Sequence, residues 1–590
     1  MSLLPNPNPN SFDPGTPGTP GTPGTPAAPA DRRARIRAAI AAASEELLAA
    51  QSPDGTWTNP RPAAVSGTAG AVLALHLAGT AADRALAAHG RAWLLRVRNA
   101  DGGWGTLEGF PSDTVASCMA AAALALTPSD DPLAAVAAPA VTAALARLRA
   151  DGGPAAIADP TVRQLCCLVL ALAGLADGSR APRVPIELVL LPAALRRRVL
   201  SYLSPPFIAL ALLQSRLGAP GRLSRAALAV ARPAAVRLLG EVQRQEGGVG
   251  SYGGDPWLTG LVVSALATAG AGPGGLVAAG LDYLRTTAQP DGSWHMIHGM
   301  AVERVEVTGP AFAAAALGEA GLAGHRESAA ARRRLADFQQ TAPFPLYACP
   351  PGGWTWSGAT GWPNVLDSLA VLDLLLQGEP EAPALRSGIG WLLNRQDRRG
   401  SWSTFVRDSL VPLDGPCPYI TARALQVLLG AGLPPDHPRV VRGLRWLLRR
   451  QRTDGSFPAL WHRGAVPGTA AVLRLLTALG RADEAPARRA RSRLLAAQLP
   501  DGSWSTGDLT EPGTADETGR AVRALAECGD TEAALRGAEW LVDRQRPDGS
   551  WEPGRTCVYI RDHVHYSDFL MAQGLALSAL AACERMAGAR

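Results

Sequence analysis

Two kinds of helical segment alternate along the chain. One kind is apolar on nearly every face: Gly468 to Gly480 reads GTAAVLRLLTALG, and Ile420 to Gly432 reads ITARALQVLLGAG. Small and branched residues on all sides predict a helix enclosed by others. The second kind has two faces. Val440 to Gln451, VVRGLRWLLRRQ, sets arginines on one side and apolar residues on the other, as an outer helix does. Alternating inner and outer helices curl into (α/α) barrels, so the predicted class is all-α. An open solenoid of helical repeats is the competing arrangement.

A short pattern punctuates these helices: Gln, three residues, Gly, any residue, then an aromatic. It runs QSPDGTW (Gln51 to Trp57), QDRRGSW (Gln396 to Trp402), QRTDGSF (Gln451 to Phe457), QLPDGSW (Gln498 to Trp504) and QRPDGSW (Gln545 to Trp551). Looser copies end at Trp104 and Trp294. Gln451, Gln498 and Gln545 are 47 residues apart, about one helix pair per repeat. The Gln closes a helix, the Asp-Gly pair turns the chain, and the aromatic packs beneath the next helix. Trp57, Trp402 and Trp504 are therefore expected to be structural.

At 590 residues the chain exceeds one ordinary core, which predicts at least two domains. Apolar residues make up 47% and charged residues 18%, a soluble composition with greasy helices. The net charge of +6 is spread along the chain, all of its basic side chains but the histidines being arginine. No basic stripe with interleaved aromatics marks a nucleic-acid partner. Eight scattered cysteines without a C-x-x-C pair fit a reducing cytoplasm better than a disulfide framework. Residues 1–30 carry PGTPGTPGTPGTP, read as a disordered tail rather than a secretory signal. Residues 184–213 are the greasiest long stretch, broken by Pro192, Pro205, Pro206 and three arginines. That pattern excludes a clean membrane span and leaves an interfacial helix, for peripheral membrane contact, or a core helix of a barrel.

The repeat resembles the QW motif of squalene–hopene and oxidosqualene cyclases, from about residue 33 to the C-terminus. Residues 352–376, GGWTWSGATGWPNVLDSLAVLDLLL, are similar to the family stretch that carries its catalytic acid. The resemblance implies two (α/α) barrels, residues 31–309 and 310–590, with a cavity between them. It also implies a monotopic membrane habit and a linear isoprenoid substrate. The family motif is Asp-x-Asp-Asp-Thr, whose middle Asp protonates an alkene or epoxide in a dry pocket. Here Asn364, Leu366, Asp367 and Ser368 stand for the first, middle and last Asp and the Thr. A leucine cannot donate a proton.

Three explanations follow. Another carboxyl group initiates: Glu306 falls at a first-Asp position in its own repeat, with Glu303 one turn earlier. Asp516 and Glu517 fall at middle and last positions, and Asp113 at a first position. Helix capping is the competing role for each. Glu303 and Glu306 are the preferred pair, with Asp367 in support. Alternatively, loss of diphosphate initiates, which would call for Mg2+; no Asp-Asp-x-x-Asp motif is present, and Asp562, His563 and His565 read as a loop. Lastly, the chain is an inactive relative that binds an isoprenoid. Against this, aromatics suited to stabilising a cation survive: Trp257, Trp354, Trp356, Trp362, Tyr419 and Tyr566. Protein prenyltransferase β subunits share the barrel, but the sequence offers no Asp, Cys and His set for zinc.

The expectation is a terpene cyclase of specialised metabolism acting on a C20 to C30 polyprenyl chain, such as squalene or a C25 precursor. It requires no cofactor unless the substrate carries a diphosphate, and leaves room for a homodimer.

Overall fold

The computed structural model describes residues 29–588 except 179–180, 182, 200–203, 218–221, 247, 271–273, 298–305, 345–348, 412–413, 508–510 and 561–562. Helix α1 (Pro29–Ala49) is followed by α2 (Val65–Ala78), α3 (Ala81–Arg96), α4 (Thr114–Ala125), α5 (Ala134–Ala150) and α6 (Pro160–Leu172). The short α7 (Ala193–Arg196) precedes α8 (Ser204–Leu217), α9 (Arg222–Gln245), α10 (Pro256–Ala269) and α11 (Gly274–Thr286). Then come α12 (Thr308–Leu317), α13 (Arg326–Asp337), α14 (Val365–Leu375), α15 (Pro383–Asn394) and α16 (Pro418–Gly430). The chain continues through α17 (Pro438–Leu448), α18 (Val466–Ala478), α19 (Ala485–Ala496), α20 (Ala515–Glu527) and α21 (Thr531–Asp543) to α22 (Phe569–Gly588). A two-stranded antiparallel ribbon, β1 (Cys557–Ile560) and β2 (Val564–Tyr566), lies between α21 and α22.

The even-numbered helices from α2 onward are the inner ones. Helices α2, α4, α6, α8 and α10 pack in succession, and α10 returns against α2 to close a ring. Helices α12, α14, α16, α18, α20 and α22 form a second ring, closed by α22 on α12. The solenoid alternative is thereby excluded. Their all-round apolar sequences are buried accordingly: every residue of α10 from Pro256 to Leu266 is inside. The odd-numbered helices α13 to α21 flank the second ring.

One boundary differs from the expectation. Helix α1 was assigned with the first barrel, but it packs on α21 and α22. It supplies the outer helix that the second ring lacks, a closure that order along the chain does not reveal. Residues 184–213 divide in two. Most of α8 is an inner helix buried beside α10, so the core reading holds for that half. The preceding stretch lies at the surface with Leu188, Leu190 and Leu195 exposed. Among the described residues no helix is long and apolar enough to cross a membrane.

The Gln–Trp repeat explains how the outer helices are held. Each repeat Gln Nε2 donates twice: to the carbonyl of its own turn Gly and to a carbonyl of the next outer helix. Gln396 reaches Gly400 and Arg439, Gln451 reaches Gly455 and Pro486, and Gln498 reaches Gly502 and Ala533. Gln545 reaches Gly549 and Ala39 on α1, and Gln51, just after α1, reaches Gly55 and Glu327 on α13. With Gln339 bonded to Gly352 and Ala384, these staples run completely around the outer ring. Each Trp indole donates to a carbonyl ten residues back, as Trp402 does to Leu392 and Trp551 to Leu541. Trp57, Trp402 and Trp504 are structural, as expected.

Candidate active site

The inner helices of the second ring begin in a common register. The amide of Asn364 donates to Trp354 O, and that of Val365 to Thr404 O. Thr514 repeats the first bond with Trp504 O, which aligns Asp516 with Leu366 and Glu517 with Asp367. Val307 repeats the second with Trp356 O, which aligns Glu306 with Asn364. A hydroxyl four residues past the start fixes each turn: Ser368 Oγ accepts from Trp354 N at 2.9 Å, and Thr518 Oγ1 from Trp504 N at 3.0 Å.

Around the start of α14 three carboxyl-bearing residues gather. Asn364 caps the helix by accepting from Asp367 N at 2.9 Å, and its Nδ2 donates to Asp367 Oδ2. Thr308 Oγ1 donates to Asp367 Oδ1. Burial pushes Asp367 up to about 6, against the opposing pull of Thr308, Asn364 and Arg61. Glu306 is buried with its Oε1 2.6 Å from Arg61 Nε. Asp568 accepts from Asn59 Nδ2 at 3.0 Å and from Met571 N at 3.0 Å, capping α22. Leu366, in the acid's usual place, is half-buried, as are Thr308 and Tyr566.

The structure thus brings Glu306 and Asp367 together and adds Arg61, Asp568, Asn59 and Thr308, none of which the sequence reading singled out for this site. Two signals were available: Thr308 occupies the middle-acid register of its own repeat, and Asp568 stands at the start of an apolar helix. Glu306, preferred on sequence as an initiating acid, is ion-paired with Arg61. Glu303 and Asp562 lie outside the described residues. Asp516 is elsewhere on the ring, accepting from Gly554 N at 2.8 Å and Thr556 Oγ1 at 3.0 Å. Burial raises it to about 6 as well. Asp113 caps α4 by accepting from Ala116 N, which is the structural role weighed against a catalytic one. Among the described residues no group of three or more His, Cys, Asp or Glu is placed to hold a metal ion.

The aromatics divide by role. Phe405, unremarked in the sequence, is the hub. Trp356, Trp362 and Trp461 meet it edge-on at centroid distances of 5.9, 6.2 and 6.0 Å. This group adjoins the acid cluster, because Val307 N bonds Trp356 O and Val365 N bonds Thr404 O. Trp356 and Trp461 are half-buried. Trp354 departs from its expected place in the wall. Its indole donates to Leu335 O at 2.7 Å and it is fully enclosed, the same arrangement as the repeat tryptophans. Trp257 is enclosed on α10, 6.0 Å from Tyr559. Tyr419 is buried with its hydroxyl 3.0 Å from Arg520 Nη1.

Two family models match the chain: the squalene-hopene cyclase N-terminal domain over residues 40–201 and the C-terminal domain over residues 405–559. A probable squalene–hopene cyclase of Sinorhizobium fredii is 28% identical over 229 residues, 33% of this chain and 35% of that protein. The drimenyl diphosphate synthase of Streptomyces showdoensis is 29% identical over 282 residues, 45% of this chain and 48% of that protein. The chain therefore matches less than half the length of these relatives. In fold it is similar to the ent-copalyl diphosphate synthase of Streptomyces platensis, with a TM-score of 0.57 at 21% identity over 94% of this chain and 99% of that one.

Proposed function

This chain belongs to the squalene–hopene cyclase family of class II terpene cyclases, and from that premise we propose that it cyclises a linear C20 to C30 isoprenoid with Asp367 as the initiating acid. One observation carries the assignment. Asp367 is a buried carboxyl, raised to about 6, whose two oxygens each meet a hydrogen-bond donor, Thr308 and Asn364. Burial lets the group hold its proton up to about pH 6, while the two donors stabilise the carboxylate left behind. The carboxyl proton adds to one carbon of a terminal alkene, and the positive charge on the other is drawn along the chain as rings close. Trp356 and Trp461, half-buried beside the acid, stabilise that charge by roughly 1–2 kcal/mol each in a dry site. Loss of a proton or capture of water ends the cascade. Glu306 and Arg61 neutralise each other and hold the rim of the site.

This route calls on no metal; Mg2+ would accompany a diphosphate-bearing substrate. Exposed Leu188, Leu190, Leu195 and Leu410 support peripheral membrane contact, since Leu410 N bonds Arg198 O at 2.8 Å and joins the two segments. A cytoplasmic site and a homodimer belong to the same reading. The leucine at position 366 favours the second reading, a non-catalytic isoprenoid carrier.

Purified protein incubated with squalene and with C20 and C25 prenyl diphosphates, with and without Mg2+, separates the two. Cyclised product is expected from at least one of them, and Asp367→Asn is expected to lower its rate by about 100-fold or more. Full activity in that variant removes the acid assignment, and no product from any substrate leaves the carrier.

A further inference from the structure

The axis of the second ring holds a pocket that the proton transfer does not use. It is walled by all six inner helices of that ring. Four arginines reach it: Arg423 of α16, Arg474 of α18, and Arg520 and Arg523 of α20. Three of them have carboxylate partners. Arg423 pairs with Asp373; Arg474 holds Glu527 through contacts of 2.7 and 3.0 Å; Arg523 meets Glu319 at 2.7 Å and Glu527 at 3.0 Å.

Arg520 differs. Among the described residues no carboxylate lies within ion-pair distance of it, although it is buried. Its Nη1 donates to the Tyr419 hydroxyl at 3.0 Å, while Nη2 lies 3.4 Å from His462 Nε2 and 3.5 Å from Met571 Sδ. Its Nε has no partner. The two carboxyl groups one turn before it on α20 lie beyond ion-pair distance, and Asp516 gives its oxygens to Gly554 N and Thr556 Oγ1. Both oxygens of Glu517 lack hydrogen bonds, and burial pushes that carboxyl up to about 8, so it is largely neutral near pH 7. His462 is held neutral by burial and by Arg520 and Arg423, so it adds no second cation. A buried guanidinium fork with one nitrogen unsatisfied and no carboxylate within ion-pair distance is matched by a planar or tetrahedral oxyanion.

We propose that this pocket binds the anionic head group of the isoprenoid substrate, with Arg520 meeting the head and Tyr419 flanking it. The proposal rests on the isoprenoid reading above. An occupied site also neutralises a positive charge that would otherwise oppose a carbocation in the same dry barrel.

Calorimetric titration of the full chain with geranylgeranyl diphosphate, geranylgeraniol and inorganic pyrophosphate tests it. The wild type is expected to bind the diphosphate at least about tenfold more tightly than the alcohol, as a charge-assisted contact would give. Arg520→Met is expected to abolish that margin with the alcohol unaffected, and Arg520→Lys to restore part of it. Equal wild-type affinity for diphosphate and alcohol overturns the anion site alone and leaves the isoprenoid reading standing; that comparison needs no variant to fold. Equal weakening of both ligands in Arg520→Met also overturns it. Pyrophosphate binding as tightly as the prenyl diphosphate overturns the assignment to a prenyl head. If neither prenyl ligand binds, the anion site falls together with the C20 form of the isoprenoid reading.

Discussion

Asp367 and Leu366 occupy adjacent positions in the first turn of α14, but only the former is equipped for acid chemistry. Its folded value of about 6 lies above the ordinary 3.8. Because the protonated form delivers the proton, turnover is expected to fall about tenfold per pH unit above roughly 6, read from a kcat–pH profile. The same shift has a sign for stability: burial of the ionised form opposes folding above about 6, and that penalty vanishes below 3.8. Glu517 tests the stability effect separately, since neither of its oxygens is bonded. Its value of about 8 stands above the ordinary 4.5, so wild type should lose stability between these pH values as pH rises. Glu517→Gln is expected to flatten that loss, by a few kcal/mol at pH 9 on the order-of-magnitude scale of such shifts, measured by urea unfolding at pH 6 and 9. At this scale the sequence was informative where register sufficed: Asn364, Asp367 and Glu306 could be placed by counting along repeats. Arg61, Asp568 and Phe405 could not, because they arrive from other turns and carry no local pattern. Trp354 was misplaced for a related reason: its spacing from Leu335 is longer than ten residues, which hides its likeness to the repeat tryptophans.

The turn between helices is where a single side chain joins three segments. Gln545 ties its own turn to α1 through Ala39, so Gln545→Ala removes two hydrogen bonds and is expected to destabilise by about 1–2 kcal/mol in denaturant unfolding. Gly549 is more demanding. Its φ is 88°, and a Cβ there would sit 2.5 Å from Ala42 O. Gly549→Ala should therefore destabilise by more than about 1 kcal/mol, with α1 the first segment to lose protection in hydrogen exchange. The repeat motif made the turn legible in advance, including the packing of its aromatic. The second bond of each Gln was not legible, because its acceptor lies some 35 to 43 residues away for Gln451 and Gln396, and in another part of the chain altogether for Gln545.

The molecule is two closed rings, and a ring fails at any missing member. Removing α1 takes away contacts with α21 and α22 and the Ala39 acceptor of the Gln545 staple. A chain lacking residues 1–50 is expected to lose cooperative unfolding of the second ring, seen as rapid proteolysis near α21 and α22, while the first ring stays protected. Alternation of apolar and two-faced helices disclosed the (α/α) plan. Which helices close each circle depended on contacts between the two ends of the sequence, and those have no periodic signature.

Seating α1 between α21 and α13 also orders assembly in time. Helix α1 precedes α21 and α22, the helices it packs on, by most of the described chain, so it waits for them during synthesis. Rewiring the gene so that α1 follows α22 would preserve every native neighbour, the Arg37–Glu584 pair included, and remove the wait. Such a permuted chain should refold faster than the natural order while unfolding at the same rate.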